Sequence, residues 1–514
     1  MIRYLLAGIT WLVVASGWAE CPSTPQVTHF FQTGWGVNHN GDRYQRQTQI
    51  NPGNVKNLRL KWSYGFATKR PRVAPLVTDD TVFIGDAGYG LVALDRESGC
   101  ERWVNGQLGD HGTALSHGVI GDRVVLVGAS RQGGVYVVDA LSGETLWQRK
   151  VTDDNPGAMH SGSPLVYEDQ IFVPISSIEV GLSANPFYGC CTTSGGMAAL
   201  DLATGTTNWY RRTIPELPKI TGRHWVFIEH HGPSGAPVWN APTLDEARRL
   251  LYFGTGQNYS HPTTATSDAI FAVDIDTGEP RWIAQFTEGD AWNIACGADG
   301  PNCPQPTGPD VDFGAPPILA ALEDGRQLLL AGQKSGDIWA IDPDSGKTVW
   351  HQRIGRGGAL GGIHWGMAVD PDQALLFVPI SDIEALTTQG EAEPGMFALE
   401  LRSGEPRWKA PRVQSCEGRQ CWSGLSAAIT AAPGILVAGA LDAQIEVYDA
   451  VSGRVIWDYD TSGAFETVNG VAAQGGAIDT HGPVLADNLM IVVSGYGSFG
   501  QRSGNAMLVF EVPQ

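Results

Sequence analysis

Two carboxylates two residues apart, Asp310 and Asp312 in the run PDVDFGAPPIL at 309–319, are of the type that takes a proton from a reacting hydroxyl, and spacing alone does not choose between them. A third acid, Glu179, follows Ser176-Ser177-Ile178 directly after the apolar run Ile171-Phe172-Val173-Pro174-Ile175. That is an odd place for a core acid, although a solvated loop is the commoner fate of Glu. Gln257 and Asn258, in FGTGQNYS at 253–260, add amide oxygens. Lys334, in Gly332-Gln333-Lys334-Ser335-Gly336, is either a functional cation or an exposed turn lysine. The chain contains no Gly-x-Ser-x-Gly elbow, which argues against a hydrolase built on Ser, His and Asp. It contains no Cys-x-x-Cys-His either, so no haem is covalently attached to it.

These residues hang on a repeated unit. A skeleton of Asp, Ser or Thr, Gly and Trp returns seven times, as Asp95-Gly99-Trp103, Asp139-Gly143-Trp147, Asp201-Gly205-Trp209, Asp274-Gly278-Trp282, Asp342-Gly346-Trp350, Glu400-Gly404-Trp408 and Asp449-Gly453-Trp457. Each copy follows a short apolar run; its acid can hold backbone N–H groups ahead of it, and its Gly can take positive φ, which spells a hairpin turn. The Trp sits four residues into the return strand, where a flat ring can fill the gap between neighbouring sheets. A period of about 40 to 70 residues with one such hairpin each is the mark of an all-β propeller of four-stranded antiparallel blades. Trp62 lies on an eighth return strand with no strand before it, and Ala506 to Val512 is a strand with no return after it. Joined, the two orphans predict an eighth blade closed by the N- and C-terminal strands. Trp239 stands outside the turn spacing, so blade stacking does not explain it; the plain alternative is a core Trp.

Residues Met1 to Ala19 combine Arg3, an apolar run from Leu5 to Val14 and Gly17-Trp18-Ala19, which reads as a secretory signal peptide. The expected mature chain, 20–514, is one propeller domain, exported, with no membrane anchor, because the apolar run is too short to span a bilayer. Eight Cys in an exported protein can pair completely. Cys296 with Cys303 and Cys416 with Cys421 would close short loops, Cys21 with Cys100 follows by elimination, and the adjacent Cys190 and Cys191 are left for each other. A net charge of −20 disfavours nucleic acid or an anionic membrane surface as partner and leaves room for a basic protein.

The Gly- and Asn-rich arm from Gly34 to Trp62, the Trp turns and the closing strand together resemble the pyrroloquinoline quinone (PQQ)-dependent alcohol dehydrogenases, and within them the polyvinyl alcohol dehydrogenase group. The likeness covers nearly the whole mature chain and is carried by YGCCTTSGG at 188–196, GAPVWNAPTLD at 235–245, FGTGQNYS, PDVDFGAPPIL, GGIHWGMAVD at 361–370 and TVNGVAAQGGAIDTHGP at 467–483. The resemblance implies PQQ on the propeller axis above Trp239 and calcium held by Glu179 and Asp312, with an amide from Gln257, where family members carry Asn, or from its neighbour Asn258. It further implies Asp312 as the base that takes the alcohol proton, Lys334 at the ortho-quinone oxygens, and Ser161, Ser176, His364, Trp365 and Asn469 around the cofactor or the pocket rim. Cys190-Cys191 is similar to the adjacent-Cys ring that covers PQQ in the family, although here it falls in a loop of the third blade. The activity so implied is oxidation of an alcohol, secondary or a hydroxylated polymer, to a ketone in the periplasm, with electrons leaving to a separate c-type cytochrome. The rival reading is a non-catalytic propeller that serves as a binding or outer-membrane assembly scaffold.

Overall fold

The repeat folds as its residue types dictate. In the third copy, one Asp201 carboxylate oxygen accepts the Thr204 N–H and hydroxyl, both at 2.7 Å, and Gly205 returns its N–H to the Asp201 carbonyl at 2.8 Å with φ at 70°. The same side-chain bonds hold the turns at Asp95, Asp139, Asp274, Asp342, Glu400 and Asp449. The Gly is needed twice, because a Cβ at Gly278 would also stand 2.5 Å from the ring of Trp209 in the preceding blade. That ring sends its Nε1–H to the Ile275 carbonyl at 2.8 Å, one residue past the acid of the next turn. Seven joints follow this rule, from Trp62, Trp103, Trp147, Trp209, Trp282, Trp350 and Trp408. Trp457 packs on Tyr459 and Phe510 instead, because the eighth blade has no turn of this kind to receive it.

The computed structural model describes residue 21 and residues 27–513 apart from 87, 110, 153–156, 384–390, 414–415 and 417–421. The strands form eight antiparallel blades, seven of them four-stranded and the third carrying the extra pair Ala158–Met159. The eighth has the order Arg59–Gly65, Ala506–Glu511, Leu489–Ser494, Val484–Ala486, with Trp62 opposite Val509 and Leu60 opposite Phe510. The orphan strands do close the ring on each other. Facing sheets bury a continuous apolar layer between blades, for example Phe172, Trp209, Phe253 and Phe271.

The arm ahead of Arg59 has its own task. Its backbone bonds in turn to Leu244, Leu319, Val369 and Ala431 and to Asp487, members of or neighbours to the first strands of blades four to eight. Trp35 from this arm packs with Ala74, Ala114, Ala241, Ala428 and Trp365, and the buried Arg43 guanidinium lies 4.5 Å over its ring. The arm therefore plugs one end of the axis and makes a floor for whatever lies above Trp365.

Disulfides join Cys21 to Cys100, Cys190 to Cys191 and Cys296 to Cys303, and no described cysteine is free. Cys416 is disulfide-bonded too, while its expected partner Cys421 and residues 1–19, the expected signal peptide, lie outside the described residues. Among the described residues no helix is long and apolar enough to cross a membrane.

Candidate active site

Trp239 is half-buried among fully buried neighbours, and its ring meets Trp365 edge-on at 5.1 Å and His364 at 5.7 Å. Its Nε1–H donates to Asp312 Oδ2 at 2.9 Å, while the Gln257 backbone N–H donates to Asp312 Oδ1 at 3.0 Å. Both carboxylate oxygens are thus oriented by fixed donors. No side chain larger than hydrogen fits at Gly256, where a Cβ would lie 2.8 Å from the Asp312 carboxyl carbon.

Residues 309–314 form no strand, and Asp310 has φ at 59°. Strand alternation would have set Asp310 and Asp312 on opposite faces; instead both reach Lys334, whose Nζ donates to Asp310 Oδ1 at 2.8 Å and stands 3.8 Å from Asp312 Oδ2. Lys334 is no exposed turn lysine. Burial would lower its pKa, but the Asp310 and Asp312 charges outweigh burial and hold it above the ordinary lysine value. Burial pushes Asp310 up despite Lys334. Asp268, fully buried and with neither oxygen bonded, is pushed well up by burial and then by Asp290, Asp312 and Asp310.

Asp290 is raised to about 6, chiefly by burial, although it accepts the N–H groups of Asp310 and Val311. Its unfolded value is near 3.8, so between these values the folded chain binds the extra proton and loses stability as pH rises. The loss is about 3 kcal/mol, complete above pH 6 and absent below pH 4. Urea unfolding should show the stability of the apoprotein relative to Asp290→Asn falling by that amount across this window; a constant difference would overturn the assignment.

Glu179 opens the short helix Glu179–Leu182 and is fully buried. Its oxygens accept the N–H groups of Thr192 and Thr193, at 2.9 and 2.6 Å, and the Tyr188 hydroxyl at 2.7 Å. The loop that carries Cys190-Cys191 is therefore tied to this carboxylate, and the disulfide packs on Tyr259, Tyr188 and Val180. The Tyr259 phenol is pushed well up by burial and then by the charges of Asp312, Glu179 and Asp310. The two amides differ in their surroundings: Asn258 spends its side chain on Ser234 and Thr264, whereas Gln257 Oε1 is buried without a partner. Among the described residues no three His, Cys, Asp or Glu side chains converge as a metal cluster. The hard-oxygen set is two carboxylates and one free amide oxygen.

Asn469 is not brought to this site. Its amide bonds both backbone atoms of Gly65, and it lines a separate cavity of about 290 Å³ with Tyr64, Cys100 and Glu101. Sequence reading also passes over Arg72, whose buried guanidinium lies 4.8 Å over Trp365 and donates to the Ser161 carbonyl at 3.1 Å. Its Nε has no partner, and no carboxylate among the described residues pairs with it. A buried cation so placed is suited to an anion arriving from outside the chain. The basic run Lys69-Arg70-Pro71-Arg72 just before the first blade was the available signal.

The residues fit a flat, multiply anionic cofactor with a hard cation: an accessible Trp face, two cations, two carboxylates and an orphaned amide oxygen. Residues 33–351 match the family described as glucose/ethanol/alcohol dehydrogenase, beta-propeller domain, and 397–511 match that described as outer membrane protein assembly factor BamB. The chain is 33% identical over 501 residues to a polyvinylalcohol dehydrogenase of Pseudomonas sp, covering 93% of this chain and 76% of the relative. It is 34% identical over 486 residues to the polyvinylalcohol dehydrogenase of Sphingopyxis sp. (strain 113P3), covering 92% and 73%. In fold it is similar to the quinohemoprotein alcohol dehydrogenase ADHIIG of Pseudomonas putida HK5, with a TM-score of 0.70 at 17% identity over 93% of this chain and 80% of that one.

Proposed function

This chain belongs to the PQQ-dependent alcohol dehydrogenase family, and from that premise we propose that it oxidises a secondary alcohol, free or as the repeating unit of a hydroxylated polymer, to a ketone. When bound, PQQ supplies the two-electron acceptor and calcium the Lewis acid. Everything else is asked of the protein. Asp312 takes the hydroxyl proton: the Trp239 and Gln257 N–H groups hold its oxygens in place, and the Lys334 ammonium stands 3.8 Å from Oδ2. Glu179, Asp312 and Gln257 Oε1 would hold calcium, Lys334 and Arg72 would meet the anionic groups of PQQ, and Trp239 would carry its flat face. The Glu179-bound loop with Cys190-Cys191 excludes water from that side. Electrons would leave to a separate c-type cytochrome, since the chain has no haem-attachment motif, and export to the periplasm accords with the disulfides.

The observation that carries this reading is the Asp312 carboxylate, fixed by Trp239 and Gln257 beside a buried Lys334. The match of 397–511 to an assembly factor favours a second reading, a non-catalytic scaffold. A scaffold has no use for buried cations and acids gathered over an accessible Trp. Purified apoprotein should take up PQQ with calcium, gain the cofactor absorbance and reduce a dye with secondary alcohols. No uptake of PQQ at any calcium concentration would leave the scaffold reading standing.

A further inference from the structure

His364 stands in the axial site with one ring nitrogen spoken for and one not. Its Nδ1 lies 2.7 Å from Ser426 Oγ, and Ser426 Oγ lies 2.7 Å from Asp479 Oδ1. Asp479 is surrounded by donors: its Oδ1 also accepts the Thr480 N–H at 2.8 Å, and its Oδ2 faces Gln501 Nε2 at 3.4 Å. A hydroxyl has a single proton, and the one on Ser426 is spent on this carboxylate. Ser426 Oγ must then accept from His364, so the ring proton sits on Nδ1. The imidazole is neutral, because burial, then the charges of Lys334 and Arg72, push its pKa well below the ordinary histidine value. A neutral ring protonated at Nδ1 has a bare lone pair at Nε2. Among the described residues nothing bonds to that nitrogen, and the ring stands 5.7 Å from Trp239.

Its neighbours make this unusual. Lys334 and Arg72 keep N–H donors beyond those they give to Asp310 and Ser161, which suits carbonyl and carboxylate oxygens. Nε2 offers the opposite, and it serves a ligand group that donates. On the reading of the site as an alcohol dehydrogenase, we propose that Ser426 and Asp479 are positioning residues that lock His364 as the Nδ1–H tautomer, so that its Nε2 accepts a hydrogen bond from an O–H or N–H of the bound substrate or cofactor.

Long-range proton–nitrogen NMR of the apoprotein, with His364 assigned by the signal lost in His364→Gln, should show a protonated Nδ1 and a bare Nε2. Ser426→Ala should mix the tautomers. A protonated Nε2 in the wild-type apoprotein would overturn the relay whatever the protein does. The ligand side is read from PQQ titrations, followed by tryptophan fluorescence, and from alcohol kinetics with His364→Phe and His364→Gln. Loss of one hydrogen bond to a buried donor should weaken binding roughly three- to tenfold in His364→Phe, and Gln, which keeps an acceptor near the Nε2 position, should recover most of it. A change in the PQQ dissociation constant places the donor on the cofactor; a change in KM with PQQ binding intact places it on the alcohol. A properly folded His364→Phe protein that alters neither would overturn the proposal. Failure of the wild-type protein to bind PQQ at all would instead bring down the proposed function, and leave the tautomer to be judged on the apoprotein alone.

Discussion

Asp312→Asn is expected to lower turnover by about two to four orders of magnitude while PQQ still binds, the usual worth of a positioned general base. Asn cannot take the alcohol proton. It also fits its surroundings poorly, because the wild-type oxygens accept from Trp239 Nε1–H on one side and from the Gln257 N–H on the other. Whichever way the amide turns, its NH2 meets one of these donors, so a modest loss of local order accompanies the chemical loss. PQQ titration separates the two effects: intact binding with lost turnover assigns the base, whereas lost binding means that the variant has disturbed the site. Asp310→Asn cannot serve as the neutral control, since Lys334 bonds that carboxylate at 2.8 Å. Asp458→Asn, on the exposed face of the outer strand Val455–Asp460, changes the same charge far from the axis. Turnover of Asp312→Asn within about tenfold of wild type, with cofactor bound, would remove Asp312 from the mechanism.

The blades were legible because their signal is local: an acid, a Gly and a Trp within nine residues specify a hairpin and the ring that locks it to the next sheet. Closure was legible because both orphan strands retained strand character. In the candidate site, motifs that fix one side chain each, at Trp239, Asp312 and Lys334, picked out residues that the fold brings together. The site was not legible where the choice lies between neighbours or across the ring. Gln257 and Asn258 face different surroundings, and only the folded loop shows that Asn258 spends its amide on Ser234 and Thr264. Asn469 looks like a site residue in isolation, yet its amide completes the bonding of Gly65 some 400 residues away in the chain, with a separation of 404. The group His364, Ser426 and Asp479 joins the segments that lead into blades six, seven and eight, at separations of 62 and 53 residues, and no periodicity predicts such a meeting. Spacing could not separate Asp310 from Asp312 for a simpler reason: alternation belongs to strands, and a residue with φ at 59° is not in one.

Lys334→Met should cost about 3–5 kcal/mol of stability, because it leaves the Asp310 carboxylate buried without its cation. The pair is nearly inaccessible, with both side chains 6% exposed, so water cannot take the place of the ammonium group. An orphaned buried acid protonates to escape the cost, and its folded pKa then lies above the unfolded value. Burial already holds the Asp310 carboxyl up in the wild type and removing Lys334 raises it further, so the penalty in Lys334→Met should be small below the wild-type folded pKa and grow as pH rises from there through the variant's higher one. Adding Asp310→Asn to the same chain removes the orphan charge, so the double variant should recover most of the stability at neutral pH, a coupling that a double-mutant cycle reads directly. Activity should not return with it. Lys334 also stands 3.8 Å from Asp312 Oδ2, and no neutral side chain supplies its charge to that carboxylate or to an anionic cofactor. A stable, PQQ-binding double variant with turnover near wild type would make Lys334 a structural counter-ion to Asp310 alone, and a double variant as unstable as Lys334→Met would mean that the cost comes from lost packing and not from the buried charge.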